Sequence, residues 1–578
     1  MTMPQKKTLR SKLLRGSLFG ICLVIPVWSV VTRVVPRNAA PPFINSVGVQ
    51  LPPDAAPPEV QVLRTLQQNY KYMDQSVTGY SNVYGTYLLA EPLLRMDRDF
   101  NLLPAAATHW QVSDDGLTWY FYLRPELIFT DGRPVTAHDY VGTFRIWADP
   151  KTGYDFEWYY HAIKNWQAVV SGKIPVQDLG IRAIDDHTLA ISTERPAPYL
   201  PALLNFSQLT PVHAIEKYGS AWSTRPETSI SSGPFMLESW DKANQVVLVA
   251  NPHYRGPAKP FLEKLVANLY VPSAPPPFLA AYQNNEVDYI QLTFQAQLSR
   301  IKTDPVLWEQ LNTFADFMTY YLTMDTYSPP FDDLRVRQAF SHAIDREALV
   351  KSALREVGVP AYTMLQSGFP GAMPDVLASI QRYDPDLARQ RLAEAGFPDG
   401  KGFPKLDLWL RNTFTSPTKM AAEAIQAMLK QTLNIDIGVS NMGIKLFTDA
   451  LNKHEIAIAL VPYRYDYIDA GNLLDVWRSH GRHAWHNDQF EDLVLNANLL
   501  MGDEAGRLAR YQEAERILVS DVGGIFLWHE LVNEMWKPYV RGAALEPNRL
   551  NFRAWRGDGK HLLTPTLYIT REKVDQAR

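Results

Sequence analysis

The chain reads as an α/β protein of two lobes with a cleft between them, and three observations predict this. Over residues 406–461 strand-like and helix-like segments alternate: Leu406–Leu410, then helical Pro417–Leu433, strand-like Ile435–Val439, helical Ile444–Asn452 and strand-like Ile456–Val461. Alternation with helices longer than ten residues predicts βαβ units and a largely parallel sheet. At 578 residues the chain is also too long for one core and implies two or more lobes. Finally, the apolar run Ile456–Val461, short and branched enough for a doubly buried strand, opens into Tyr463, Arg464, Tyr465, Asp466, Tyr467 and Asp469. Ligands of open α/β sheets bind outside the carboxyl ends of strands. Two acids among three tyrosines at such an edge suit a cationic ligand or a stacked sugar, or else form a charged surface loop.

Composition narrows the function classes. A net charge of −4, with no basic tract in the body, argues against a nucleic-acid partner. The aromatic share of 12% supplies core material and suits a large amphipathic cleft. The single cysteine, Cys22, lies in the N-terminal apolar run, so the body has neither disulfides nor cysteine-based chemistry.

Taken in order, residues 1–35 form a targeting segment. Lys6, Lys7, Arg10, Lys12 and Arg15 precede the apolar run Gly16–Thr32, which keeps the N-terminus cytoplasmic and exports the remainder. A cleaved signal peptide and an uncleaved membrane anchor both fit. Ile21 stands where a lipoprotein signal needs a small residue before the cysteine. Residues 36–58 carry seven prolines and read as an extended, semi-rigid linker or a leftover behind a signal peptide.

The first lobe starts near Glu59. Asp115-Gly116 and Asp131-Gly132 are turn dipeptides bracketing two strand-like runs. Thr136 and Asp139 form a capping box ahead of a helix whose Tyr140, Phe144 and Trp147 share an apolar face. Gly233–Ala250 reads as a hairpin around Asp241–Asn244. Farther on, Asp332 and Asp333 open a helix with Val336, Phe340 and Ala343 on one face, and Asp345 caps the next. Asp384-Pro385 starts a helix that Gly396 ends.

Several of these segments, Leu93–Pro150, SSGPFMLESW…VVLVANPHYRG, NNEVDYIQL at 284–292 and PPFDDLRVRQAFSHAIDREALV at 329–350, resemble successive signatures of family 5 extracellular solute-binding proteins. AEAGFPDGKGFP at 393–404 and HAWHNDQFEDLV at 483–494 are similar to that pattern too. These are oligopeptide-, dipeptide- and nickel-binding receptors of ABC importers. The resemblance implies the large, three-subdomain, type II periplasmic-binding-protein fold, with lobe I at 59–315, lobe II at 316–535 and a return to lobe I over 536–578. Thr319–Thr323 would belong to a strand crossing between lobes.

In peptide-binding members an acid in an A-D-Y-x-D-P-like segment pairs with the ligand's α-ammonium. Asp466-Tyr467 matches the D-Y pair, Asp469 the second acid, and Tyr463 the place of a common tryptophan. A water-excluding cleft needs such an acid, because a buried ammonium requires an opposite charge in contact. Ala470 replaces a frequent proline. Arg464, two residues before Asp466, would neutralise that acid or capture a ligand carboxylate. Asn69, Tyr70 and Tyr80 stand where the first lobe usually faces the cleft. The expected function is hinge closure on a peptide and its delivery to permease subunits by an exported monomer held near the membrane. A metal chelate or oligosaccharide on the same scaffold, or an anchored sensor, is the alternative. Enzyme motifs are thin: His529-Glu530 lacks a second zinc histidine, GFPDGKG at 396–402 is a short phosphate-loop mimic, and His480, His483 and His486 fit one helix side only loosely.

Overall fold

The computed structural model describes residues 42–578 except 69–71, 75, 77–85, 155, 271–276, 293–294, 355–356, 412–415, 480, 549–550, 554–562 and 577–578. Residues 43–578 form one compact unit. The basic and apolar N-terminal segment thus lies outside the described residues; among the described ones no helix is long and apolar enough to cross a membrane.

The part of the expected linker that follows Pro42 lies on the body. Asn45 organises it: its Nδ2 donates to the Pro260 carbonyl at 2.7 Å and its Oδ1 accepts from the Val49 amide at 2.8 Å. Leu51, Ala55 and Ala56 are buried, and the Ala56 amide donates to the Ile569 carbonyl at 2.8 Å. Proline restricts the backbone but does not stop apolar neighbours from docking, so proline content alone overstated the reach of this segment.

Two four-stranded sheets form the N-terminal half. One runs in the order Val62–Gln68, Lys264–Tyr270, Gln245–Ala250, Phe235–Asp241 and contains the expected hairpin. The other runs Ala107–Val112, Thr118–Leu123, Thr188–Ser192, Ile181–Asp185 and is antiparallel throughout. Only the first run after Asp115-Gly116 becomes a strand; Ile128 makes a single bridge to Pro134. The helix Ala137–Ala148 opens with the Thr136/Asp139 capping box and buries Tyr140, Phe144 and Trp147.

A seven-stranded sheet organises the C-terminal half: Tyr289–Leu292, Gly524–Trp536, Leu311–Met324, Ile458–Arg464, Leu406–Arg411, Ile437–Met442, with Gly358–Pro360 beside Gly524–Trp536. The expectation of a largely parallel sheet is corrected here. Leu406–Arg411 pairs in parallel with both of its neighbours, while the other four pairings are antiparallel. The helices Ser416–Leu433 and Ile444–Asn452 supply the βαβ crossovers.

The apolar run sits as its composition demands. Ile458 and Leu460 enter one core with Leu322 and Met324, whereas Ala459, Val461 and Tyr463 enter another with Tyr321 on the opposite face. The strand starts two residues later than expected and runs on to Arg464, because Tyr463 and Arg464 pair with Thr319 and Met318.

Candidate functional site

Strand pairing stops at Arg464, residues 465–469 turn away from the sheet, and the short helix Ala470–Leu474 follows. Asp466 is half-buried in that turn. Its amide donates to Asn472 Oδ1 at 2.7 Å, and its Oδ2 accepts from Tyr463 Oη and Asn472 Nδ2, each at 3.0 Å. The Tyr463 hydroxyl and the Asn472 amide fix the direction of the carboxylate. Burial pushes the Tyr463 hydroxyl well above its ordinary pKa and keeps it a donor. The Tyr463 ring is buried, and the Arg482 guanidinium lies 5.2 Å from its centre.

Arg464 does not pair with Asp466 by any of the observed contacts. With the strand ended, two residues no longer means the same side. Its Nη2 instead lies 2.7 Å from Glu530 Oε2, 3.0 Å from Asp316 Oδ2 and 3.2 Å from Met318 Sδ. Of the two roles expected for Arg464, neutralising Asp466 is therefore not realised.

Tyr467 is packed into the N-terminal half of the molecule. Its ring stacks on Tyr199 at 5.6 Å and meets Tyr159 edge-on at 6.1 Å, and the Tyr159 hydroxyl donates to the Asp466 carbonyl at 3.2 Å. Asp469 caps its helix, accepting from the Gly471 amide at 2.8 Å, with Arg507 Nη2 2.5 Å from its other oxygen. Burial raises its pKa and Arg507 opposes the rise. These contacts occupy Tyr467 and Asp469 with protein groups. Asn69, Tyr70 and Tyr80 lie outside the described residues.

Sequence reasoning missed a second group, around Glu530. Tyr320 and Trp528 stack at 4.3 Å and, with Glu530, Gln291, Leu292 and Thr418, line a cavity of about 80 Å³. Glu530 was visible only as half of a failed zinc motif, and Asp316 was not singled out. Their proximity comes from the pairing of strands far apart in the chain. Of the histidines, His483 is buried with Nε2 2.9 Å from the Tyr321 hydroxyl, His486 lies 2.9 Å from Asp488 at the surface, and His480 is outside the described residues. Among the described residues no three metal-binding side chains gather.

A half-buried carboxylate oriented by a tyrosine hydroxyl and an asparagine amide can accept from a cation. Comparison with known proteins agrees with a binding role. The description "Bacterial extracellular solute-binding proteins, family 5 Middle" matches residues 101–485. The periplasmic oligopeptide-binding protein OppA of Salmonella typhimurium is 29% identical over 473 residues, covering 78% of this chain and 84% of that protein. The probable deoxycholate-binding periplasmic protein YgiS of Escherichia coli is 30% identical over 467 residues, covering 79% and 85%. Among solved structures, the murein tripeptide-binding protein MppA in its unliganded open form superposes with a TM-score of 0.72 at 25% identity, covering 89% of this chain and 98% of that one. The expected two-lobed periplasmic-binding-protein fold is thus the observed one. With the match spanning most of the chain, including the strand and turn that carry Tyr463 to Asp469, the chain belongs to family 5 of the bacterial extracellular solute-binding proteins.

Proposed function

We propose that this protein captures peptides in the periplasm by their α-ammonium group and delivers them to an ABC importer. The observation that carries the reading is the Asp466 carboxylate, half-buried just beyond the strand Ile458–Arg464 and oriented by Tyr463 and Asn472. An ammonium arriving there gains a charge-assisted hydrogen bond in a site that closure would dry. Extended peptide backbone would be satisfied strand-to-strand, and side chains left in wet pockets. The oligopeptide-binding name of the Salmonella relative supports the ligand class. Tyr463 serves as the wall and orienting donor, while Tyr467 and Asp469 shape the turn. The protein acts as a monomer, exported by its basic and apolar N-terminal segment and partnered by permease subunits.

Binding would draw two lobes together by population shift toward a closed form. Micromolar capture corresponds to about −8 kcal/mol. Calorimetry with a tripeptide, its N-acetyl form and its C-terminal amide tests the reading. Acetylation should cost about 2–5 kcal/mol, the loss for removing one partner of a buried charged pair, whereas amidation should cost little. Equal binding of the free and acetylated peptides would discard the ammonium site, and binding of deoxycholate with no peptide bound would replace the ligand class.

A further inference from the structure

The two longest strands, Leu311–Met324 and Gly524–Trp536, share two register shifts, one between Tyr320 and Tyr321 and a larger one before Thr319. Leu311–Ala315 pairs with Leu531–Met535, and pairing resumes at Thr319 with His529; between them Asp316, Phe317 and Met318 stand opposite Glu530 alone. An insertion of this kind breaks the ladder and bends the strand that carries it. On its two sides the strands serve different cores. Met535 joins Ile290, Leu298, Ile301 and Leu307, while Tyr321 and Leu322 join the cores on the two faces around Ile458–Arg464. The chain therefore changes lobes at the irregularity, where a hinge would have to flex.

Charge is concentrated at that point. Arg464, delivered by a third strand, reaches Glu530 at 2.7 Å on one long strand and Asp316 at 3.0 Å on the other. Asp316 is buried, and its carbonyl also accepts from Gln366. Next to the irregularity the Thr319 hydroxyl contacts His529 Nδ1 at 3.0 Å and donates to the Met364 carbonyl at 2.9 Å. One guanidinium nitrogen, Nη2, makes both contacts and also lies 3.2 Å from Met318 Sδ.

We propose that Arg464 is a positioning residue rather than a ligand contact. It ties the two crossing strands at their shared irregularity and sets the resting angle between the lobes, with the lobe boundary at Asp316 and Glu530. The inference rests on the reading of Asp466 as the ligand's acid, because the tie ends two residues before it and so presents that acid.

Small-angle scattering of the full chain, alone and with a tripeptide, tests the tie in wild type, Arg464→Met and Arg464→Lys. The unliganded Arg464→Met protein should be measurably more expanded or more varied in shape than wild type. It should bind every peptide about tenfold more weakly, with or without a free carboxyl terminus, because fewer molecules hold the closing-competent geometry. Arg464→Lys, which keeps a charge on a shorter side chain with one nitrogen, should fall between. Unchanged unliganded scattering, with loss confined to peptides bearing a free carboxylate, would make Arg464 a ligand contact and overturn the proposal; unchanged scattering and affinity would also overturn it. If Arg464→Met does not fold, Arg464→Lys and Asp316→Asn carry the test, and wild-type-like scattering from both overturns it. The unliganded scattering is read without ligand, so it separates failure of the tie from failure of the peptide reading, which the acetylated peptide reports in wild type.

Discussion

Asp466 and Asp469 are three residues apart, and the fold treats them in opposite ways. Asp469 is buried, caps a helix through the Gly471 amide and sits 2.5 Å from Arg507. Asp466 is half-buried and held by a tyrosine hydroxyl and an asparagine amide. An acid bound to a guanidinium is neutralised in place and serves the fold. Glu515 completes the comparison: it is fully buried, accepts from the Leu365 amide at 2.7 Å, and burial pushes its pKa up to about 8. With backbone donors alone and no cation beside it, the fold favours its protonated form.

The comparison breaks most readily at Arg507. Arg507→Met leaves a buried carboxylate unpaired and should cost about 3–5 kcal/mol of stability, measured by urea unfolding, with peptide affinity among the folded molecules little changed. If stability held and affinity fell instead, the roles of the two acids would have to be exchanged. Asp466→Ala should do the reverse, losing about 2–5 kcal/mol of peptide affinity by calorimetry with an almost unmoved unfolding midpoint.

Glu515 sharpens the contrast through pH. Its pKa is raised in the folded state, so its contribution to stability is fully present below the ordinary carboxyl range and is lost as pH rises toward about 8. Urea unfolding at a series of pH values between 5 and 8 should show that decline in wild type and a flatter profile in Glu515→Gln. An equal slope in both would remove Glu515 from the comparison. The smallest effect belongs to Tyr159→Phe, which deletes the hydroxyl donated to the Asp466 carbonyl. The loss should be about 0.5–1.5 kcal/mol, read as a several-fold weaker peptide affinity, with the stacking of Tyr467 on Tyr199 retained.

Much of the local architecture was legible in the sequence. The caps at Thr136, Asp333, Asp345 and Asp384 start helices where their spacing says they should. The segment Ile444–Asn452 is helical over its full predicted length. These features depend on residues within a turn or two of one another. Legibility failed where the deciding partner was distant: the strand ran on to Arg464 because Met318 and Thr319 pair with it, and residues 43–58 lie on the body because Asn45 finds carbonyls at Pro260 and Phe261. At the site, Asp466 was readable as an acid at a strand end. That Arg464 turns from it toward Asp316 and Glu530, and that Tyr467 is wedged between Tyr159 and Tyr199, was not.

By itself the sequence determined the α/β class and the alternation of strands and helices over residues 406–461. Those follow from periodicity and capping, which act over a few residues. Tertiary structure alone decided which charges meet. Coulombic contacts form between groups that folding brings within a few ångströms, and nothing in the local pattern around Arg464 records that Asp316 and Glu530 converge on it.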